Sequence, residues 1–293
     1  MKNEDQDISE LRIDFLKGLG LTVNDKSFFK EKTTRYGYHE IVWQYLDEPK
    51  LKYPTDFKDI YALYQLDQKL KNSIMVSLQL FEQTFKVALT NELIVQYTRA
   101  KAKLIKAEKY DEEPEIFNES YKLQDGSMIK RGDLKSRIRH IKKNYLEPFA
   151  GYNHLHGHIE WWVLVKEMSF GVATNAFFLL NEDSQRRISK RVFKINLSIT
   201  DFEKILSDIK LLRRRAAHNY RLIGIQTNGK YLYNQVLHDL ALLTNQEPYE
   251  KAVQKFQDLC DSFLDQYPNE KEYLQKSIKL NQKYKKYKAN HKV

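Results

Sequence analysis

The stretch FKDIYALYQLDQKLKNSIMVSLQLFEQTFKVALTNEL, Phe57 to Leu93, decides the fold class. Its apolar positions are Ile60, Leu63, Tyr64, Leu70, Ile74, Leu78, Phe81, Phe85, Ala88, Leu89 and Leu93. They recur at the spacing of one helical face, and Asp67 fills the gap between Tyr64 and Leu70. Thr55 or Asp56 supplies an N-cap. No Gly or Pro interrupts before Arg99, so one long helix or two nearly collinear helices are expected. Asp67, a carboxylate on an apolar stripe, is expected to pair with a neighbouring arginine or to cap backbone amides, because buried acids are rarely left alone.

The composition agrees with a helical chain. Among 293 residues there are only 10 Gly and 6 Pro, too few for a turn-rich all-β fold. The single cysteine, Cys260, excludes an intrachain disulfide framework and cysteine-based metal sites, and it fits a reducing cytosol. The formal charge of +10 points to an anionic partner, nucleic acid first and an anionic membrane surface second. The N-terminus MKNEDQDISE has no apolar signal core, and no apolar run is long enough for a membrane span. A cytoplasmic protein is expected.

Outward from the long helix, residues 8 to 20 predict a short amphipathic helix with Ile8, Leu11, Phe15 and Leu19 as its apolar face. A second helix runs from about Asp25 to Lys32, followed by the aromatic, partly helical segment RYGYHEIVWQYL, Arg35 to Leu46. Asp125-Gly126 predicts a hairpin turn. Between Lys130 and Lys143 lie seven Lys or Arg against one Asp, namely Lys130, Arg131, Lys135, Arg137, Arg139, Lys142 and Lys143. Ile138, Ile141 and Tyr145 keep a helical rhythm through this run, which is either a solvated face or an anion-binding surface. His154, His156 and His158 lie close together, but few acids complete a shell and no metal site is expected. WWVLVKEMSFGVATNAFFLL reads as a core helix in which Gly171 allows close packing. Asp183 to Phe193 is a basic helix carrying Arg186 and Arg187. Thr200 and Glu203 form a capping box that starts the next helix, whose buried stripe is Phe202, Ile205, Leu206, Ile209 and Leu212. Asn228-Gly229 marks a further turn, and helices are expected from Tyr231 to Leu243 and beyond Pro248, before a basic tail. Four segments follow: N-terminal helices over 1–100, a charged insertion over 101–149, a core with the arginine–histidine motif over 150–245, and a helical extension over 246–293.

That motif is LLRRRAAHNYRL, Leu211 to Leu222. Arg213 and His218 are five positions apart, about 7.5 Å of rise and about 140° of turn on a helix. Arg214 and His218, four apart, share a face. Arginine and histidine together suit phosphodiester transfer within RNA. The ribose 2′-hydroxyl needs a base, the leaving 5′-oxygen needs an acid, and the crowded phosphorus needs fixed positive charge. No metal and no cofactor is required. The alternative is a helix end whose cations complement the C-terminal dipole.

Four segments, in order, resemble the Abi (abortive infection) family of the AbiD and AbiF type, within the HEPN superfamily of helical domains. LKGLGLTVNDKSFFKEKTTRYGYHEI resembles its N-terminal helices with a Tyr-Arg-Tyr region, and the Phe57–Leu93 stretch its long helix with a mid-helix Asp. HIEWWVLVKEMSFGVATNAF and LRRRAAHNYRL resemble its Trp-Val-x-x-Glu-x-x-Ser-Phe-Gly helix and its Leu-Arg-Asn-x-x-Ala-His-x-x-Arg-Leu segment. The resemblance implies an all-α, HEPN-like helical bundle with additional N-terminal helices and a basic insertion with room for a small β-hairpin. It implies a metal-independent endoribonuclease toxin of an abortive-infection or toxin–antitoxin system, with Arg213 and His218 catalytic and Arg214, Asn219 and Arg221 supporting. Arg214 stands where the family pattern has Asn. A small structured RNA as partner and a homodimer through the motif face are also implied. Lys130, Arg131, Lys135, Arg137, Arg139, Lys142, Lys143, Arg186 and Arg187 are the expected RNA-binding residues. A non-catalytic module holding a structured non-coding RNA is the alternative expectation.

Overall fold

Phe57 to Lys106 forms one unbroken helix of 50 residues in the computed structural model, which describes residues 2–46, 56–143, 151, 159–268 and 271–278. Every apolar position of the stripe read from the sequence is buried. Asp56 is the N-cap: its Oδ1 accepts the Lys58 amide at 2.8 Å, and its Oδ2 accepts Asn24 Nδ2 at 2.7 Å and Thr22 Oγ1 at 3.0 Å.

In chain order the helices are α1 (Lys2–Gly18), α2 (Lys26–Tyr36), a π-helical turn (His39–Trp43) continuing into α3 (Gln44–Leu46), α4 (Phe57–Lys106), α5 (Arg131–Lys142), α6 (Trp161–Glu167), α7 (Phe170–Leu179), α8 (Glu182–Val192), α9 (Ile199–Ala217), α10 (Leu232–Leu240), α11 (Glu247–Gln266) and α12 (Lys271–Ile278). Two antiparallel hairpins interrupt them, β1 (Ser120–Lys122) with β2 (Met128–Lys130), and β3 (Gln226–Thr227) with β4 (Lys230–Tyr231). The fold is all-α with small hairpins. Gly126 turns the first hairpin at φ 86°, and Asn228 and Gly229, at φ 50° and 72°, turn the second with the two positive φ values a tight hairpin requires. Among the described residues no helix is long and apolar enough to cross a membrane.

The chain divides into two compact units, each assembled from separated pieces and so cutting across the four consecutive segments. The first comprises Met1–Val76, Leu212–Leu237 and Glu250–Val293. Its core holds Leu16, Phe29, Ile41, Phe57, Leu70, Ile74, Leu232 and Phe256, with Phe29 and Phe57 edge-to-face at 4.8 Å. Cys260 is buried here, and burial pushes its thiol up to about 12, so it offers no thiolate nucleophile at neutral pH. The second unit comprises Ser77–Leu211 and His238–Tyr249. Phe202 is its centre, 4.7 Å from Phe177, 5.0 Å from Phe193 and 6.1 Å from Phe85 between ring centroids.

Four sequence expectations are corrected. On α1, Ile8, Leu11, Phe15 and Leu19 are exposed, and Ile13 and Leu16 are buried instead. Two apolar stripes compete on that short helix, and the one carrying Arg12, whose guanidinium lies 4.8 Å over the Tyr38 ring, faces inward. The expected core helix over 161–180 is two helices, because Ser169 Oγ accepts the Val172 amide and starts α7 anew. Gly171 is not a close-packing site, since a Cβ there meets only Ser169 Oγ at 4.0 Å. The capping box of α9 lies two residues earlier than expected. Ser198 Oγ accepts the Asp201 amide at 3.0 Å and donates to Asp201 Oδ2 at 2.6 Å, while Glu203 accepts the Gln124 amide at 2.6 Å. Ser198→Ala is expected to cost about 1 kcal/mol in urea denaturation, whereas Thr200→Ala, at an exposed position, changes stability by less than about 0.5 kcal/mol.

Candidate functional site

Helix α9 carries the motif to its C-terminus within the first unit. The helix ends in a Schellman turn. Asn219 takes the left-handed conformation at φ 59°, the Tyr220 amide donates to the Arg215 carbonyl at 2.9 Å, and the Asn219 amide to the Ala216 carbonyl at 3.4 Å. Asparagine is the non-glycine residue best suited to that position, and here its side chain is used as well. Asn219 Oδ1 accepts from Gln68 and, at 3.0 Å, from Lys71 Nζ, while its Nδ2 donates to Glu40 Oε2 at 3.0 Å. Lys71 Nζ also donates to the Asn219 carbonyl at 3.1 Å.

Asp67 anchors the chain that follows. Fully buried, it accepts the Leu222 and Ile223 amides through Oδ1 at 3.0 and 2.9 Å, and its Oδ2 pairs with Lys71 Nζ at 2.9 Å. The expectation of a paired or amide-capping carboxylate is met on both counts, with lysine rather than arginine as the cation. Lys71 thus bridges a buried carboxylate and the left-handed cap, so the turn bearing His218 is fixed on both sides.

The three consecutive arginines have different surroundings because successive helical residues point about 100° apart. Arg213 is half-buried. Arg214 is exposed, on the face of His218, whose amide donates to the Arg214 carbonyl at 3.0 Å. Arg215 turns back into the turn: its Nε donates to the Arg221 carbonyl at 2.8 Å and its guanidinium lies 5.7 Å over the Tyr220 ring. Burial, followed by the neighbouring charges of Arg221 and Arg214, holds Arg215 below the ordinary arginine pKa. Arg221 is buried. Its amide donates to Gln44 Oε1 at 2.6 Å, its guanidinium donates to the Gln44 carbonyl, and it lies 5.8 Å over the Tyr45 ring. It bears on the site through the backbone it holds. His218 itself is exposed, with its ring 6.4 Å from that of Tyr220.

The expected RNA-binding residues fall on the second unit. Lys130, Arg137, Arg139, Lys142 and Lys143 are exposed on or beside α5. Arg131 and Lys135 share Glu115 as an ion-pair partner. Arg186 pairs with Glu182 at 2.5 Å on the surface, and Arg187 grips the buried Glu92 through Nη2 at 2.7 Å and Nε at 3.1 Å. His154, His156 and His158 lie outside the described residues, as does the basic tail. Among the described residues no three His, Cys, Asp or Glu side chains are grouped as a metal site.

A family model described as "Abi-like protein" matches residues 31–224, about two thirds of the chain. The protein belongs to the Abi-like family. The matched span runs from within α2 to the residue after Ile223, so it takes in the Asp67 clamp, the Asn219 cap and the whole arginine–histidine motif. No curated protein and no solved structure matches the chain.

Gln68, Lys71, Glu40, Gln44 and Arg215 were not foreseen. Lys71 alone had a local signal, since it follows Asp67 by four residues on the same turn of the apolar face. Lys71→Met leaves a buried carboxylate without its cation and is expected to destabilise the fold by about 3 kcal/mol. Asp67→Asn should cost a similar amount, and the double substitution clearly less than the sum of the two. Urea denaturation of the three variants measures that coupling.

Proposed function

We propose that this Abi-like protein is a metal-independent endoribonuclease of HEPN type, of the AbiD and AbiF kind, acting in abortive infection or a toxin–antitoxin system. The observation that carries the reading is the placement of His218, an exposed imidazole on a rigidly capped helix end, with Arg214 exposed on its own face and Arg213 one residue before. A proton-transfer group gains from being held still, and the Asn219 cap and the Asp67 clamp hold it.

In this reading Arg213 and Arg214 bind the non-bridging oxygens of the scissile phosphate. His218 takes the proton of the ribose 2′-hydroxyl or supplies one to the leaving 5′-oxygen. The 2′-oxygen attacks phosphorus, the P–O5′ bond breaks, and the products are a 2′,3′-cyclic phosphate and a 5′-hydroxyl. A second copy facing the motif would supply the complementary acid or base, which is the role of the proposed homodimer. The exposed cations of α5 give the chain a surface for a structured RNA, and an α5 that binds RNA without cleavage at His218 is the second reading.

His218→Ala should lower the cleavage rate on total RNA by about 10²–10⁴-fold, with EDTA without effect and cyclic phosphate at the new 3′ ends. Equal cleavage by the variant and the parent protein rejects the assignment of His218. Reversing Arg137, Arg139 and Lys143 to Glu should weaken binding of a structured RNA and flatten its dependence on salt, as removal of phosphate contacts requires. Fluorescence anisotropy over a salt series reads this, and unchanged binding makes α5 a solvated face.

A further inference from the structure

We propose that Tyr220 is the base-binding platform of the motif, the ring on which one base of the scissile linkage lies, and that it makes unpaired RNA the substrate class. The inference rests on the ribonuclease reading and adds to it how the substrate strand is recognised.

The geometry is local to the histidine. The centroid of the Tyr220 ring lies 6.4 Å from that of His218, with 41° between the planes. That is close enough for one nucleotide to place its phosphate at the imidazole and its base over the phenol ring. At 41° the two rings do not close face to face on each other. Tyr220 is 52% exposed and His218 is exposed as well, so a strand reaches both from solvent.

An exposed tyrosine is ordinary by itself. This one is held from behind. The Arg215 guanidinium lies over the ring at 5.7 Å from its centroid, and Arg215 Nε is fixed on the Arg221 carbonyl at 2.8 Å. The Tyr220 amide is fixed on the Arg215 carbonyl at 2.9 Å in the Schellman turn. The ring therefore has an anchored backbone and a cation on one face. A base on the other face completes a stack of guanidinium, phenol and base. A ring already held in place loses little freedom when a base settles on it, so more of the stacking energy appears as affinity.

Schellman turns often carry a side-chain contact between the same two positions, here Arg215 and Tyr220. The cap alone needs only apolar bulk there, and an aliphatic side chain supplies that. A flat ring half in solvent beside the imidazole exceeds what the cap requires.

Such a platform selects RNA by its pairing state. Inside a duplex each base is covered on both faces by its neighbours, and only a base in a loop, bulge or single strand can be laid on a protein ring. Every base has a π-face, so the platform accepts any of the four. The linkages presented to His218 are accordingly those of unpaired stretches.

The test is made on His218→Ala, so that the RNA survives. The probes are a fluorescent 20-nucleotide single-stranded RNA and the same strand annealed to its complement, each titrated by anisotropy over a salt series. Tyr220→Leu keeps apolar bulk against Arg215 and removes the flat ring. It should weaken single-strand binding about tenfold. Duplex binding should not change, nor should the slope of log K against log salt, because no phosphate contact is lost. Tyr220→Phe and Tyr220→Trp, which keep a ring, should bind the single strand like their parent. Unchanged single-strand binding in Tyr220→Leu overturns the platform, and so does an equal loss for the duplex. Equal loss in the Phe and Leu variants makes the hydroxyl the ligand instead of the ring. A slope lower by about 0.7, the mark of one lost single-strand phosphate contact, makes the loss electrostatic. Binding losses that track urea stability across the three variants assign the ring to the cap. Cleavage of the same strand by the unsubstituted protein and by His218→Ala is scored separately. Cleavage that depends on His218, with binding unchanged in Tyr220→Leu, removes the platform alone. Equal cleavage by the two proteins removes the ribonuclease assignment and leaves Tyr220 to its own binding result.

Discussion

A buried carboxylate holding two backbone amides is the constraint on which the motif depends. The chain must leave α9 and reverse direction immediately after His218, and a segment that does so has no helical partners for its amides. Asp67 supplies the acceptors for Leu222 and Ile223 from the middle of a 50-residue helix. A carboxylate buried that deeply would be costly alone, and the Lys71 ammonium at 2.9 Å offsets the cost. Because Lys71 also reaches the Asn219 carbonyl and Oδ1, the ion pair is shared with the helix cap. The rigidity of α4 is thereby passed to the one exposed histidine of the motif through two short links.

The distribution of charge around that histidine follows from helical geometry and cannot be read from a count of arginines. Four arginines lie between Leu211 and Leu222, yet two are structural. Arg215 and Arg221 are used inside the turn, one on a backbone carbonyl and one on Gln44, and each also lies over a tyrosine ring. Their removal would loosen the site without removing a phosphate ligand. Arg214 stays exposed to solvent on the face of His218. The same division holds on the second unit, where Arg187 is consumed by Glu92 while Arg137 and Arg139 stay open to solvent.

The sequence revealed what is periodic and local. The stripe of α4, the hairpin turns at Gly126 and Asn228-Gly229, and the cap at Asp56 depend on residues a few positions apart, so their pattern survives in one dimension. The capping box of α9 was misplaced because Ser198-x-x-Asp201 and Thr200-x-x-Glu203 carry the same signature, and only the tertiary demand of the Gln124 amide on Glu203 separates them. The face of α1 was misread for a related reason: Ile13 and Leu16 form a shorter apolar pair beside the four-residue stripe, and packing chose that pair. At the site, the place of the motif near a helix end and the special position of Asp67 were legible. The partners Glu40, Gln44 and Gln68 were not, because they lie between 151 and 179 positions from Asn219 and Arg221 and no local rule links them.

A helix C-terminus is an unusual place to receive a phosphate, since its free carbonyls present partial negative charge and it is helix N-termini that attract anions. The motif answers this in two ways. The Schellman turn occupies the Arg215 and Ala216 carbonyls with the Tyr220 and Asn219 amides, and Arg214 receives the His218 amide, so three of the terminal carbonyls no longer face outward unpaired. In the proposed ribonuclease reading, the exposed Arg214 adds a full positive charge beside the half-charge of the dipole and so favours an anion there. Its charge lies on the face of His218 and so bears most directly on the group that would transfer the proton.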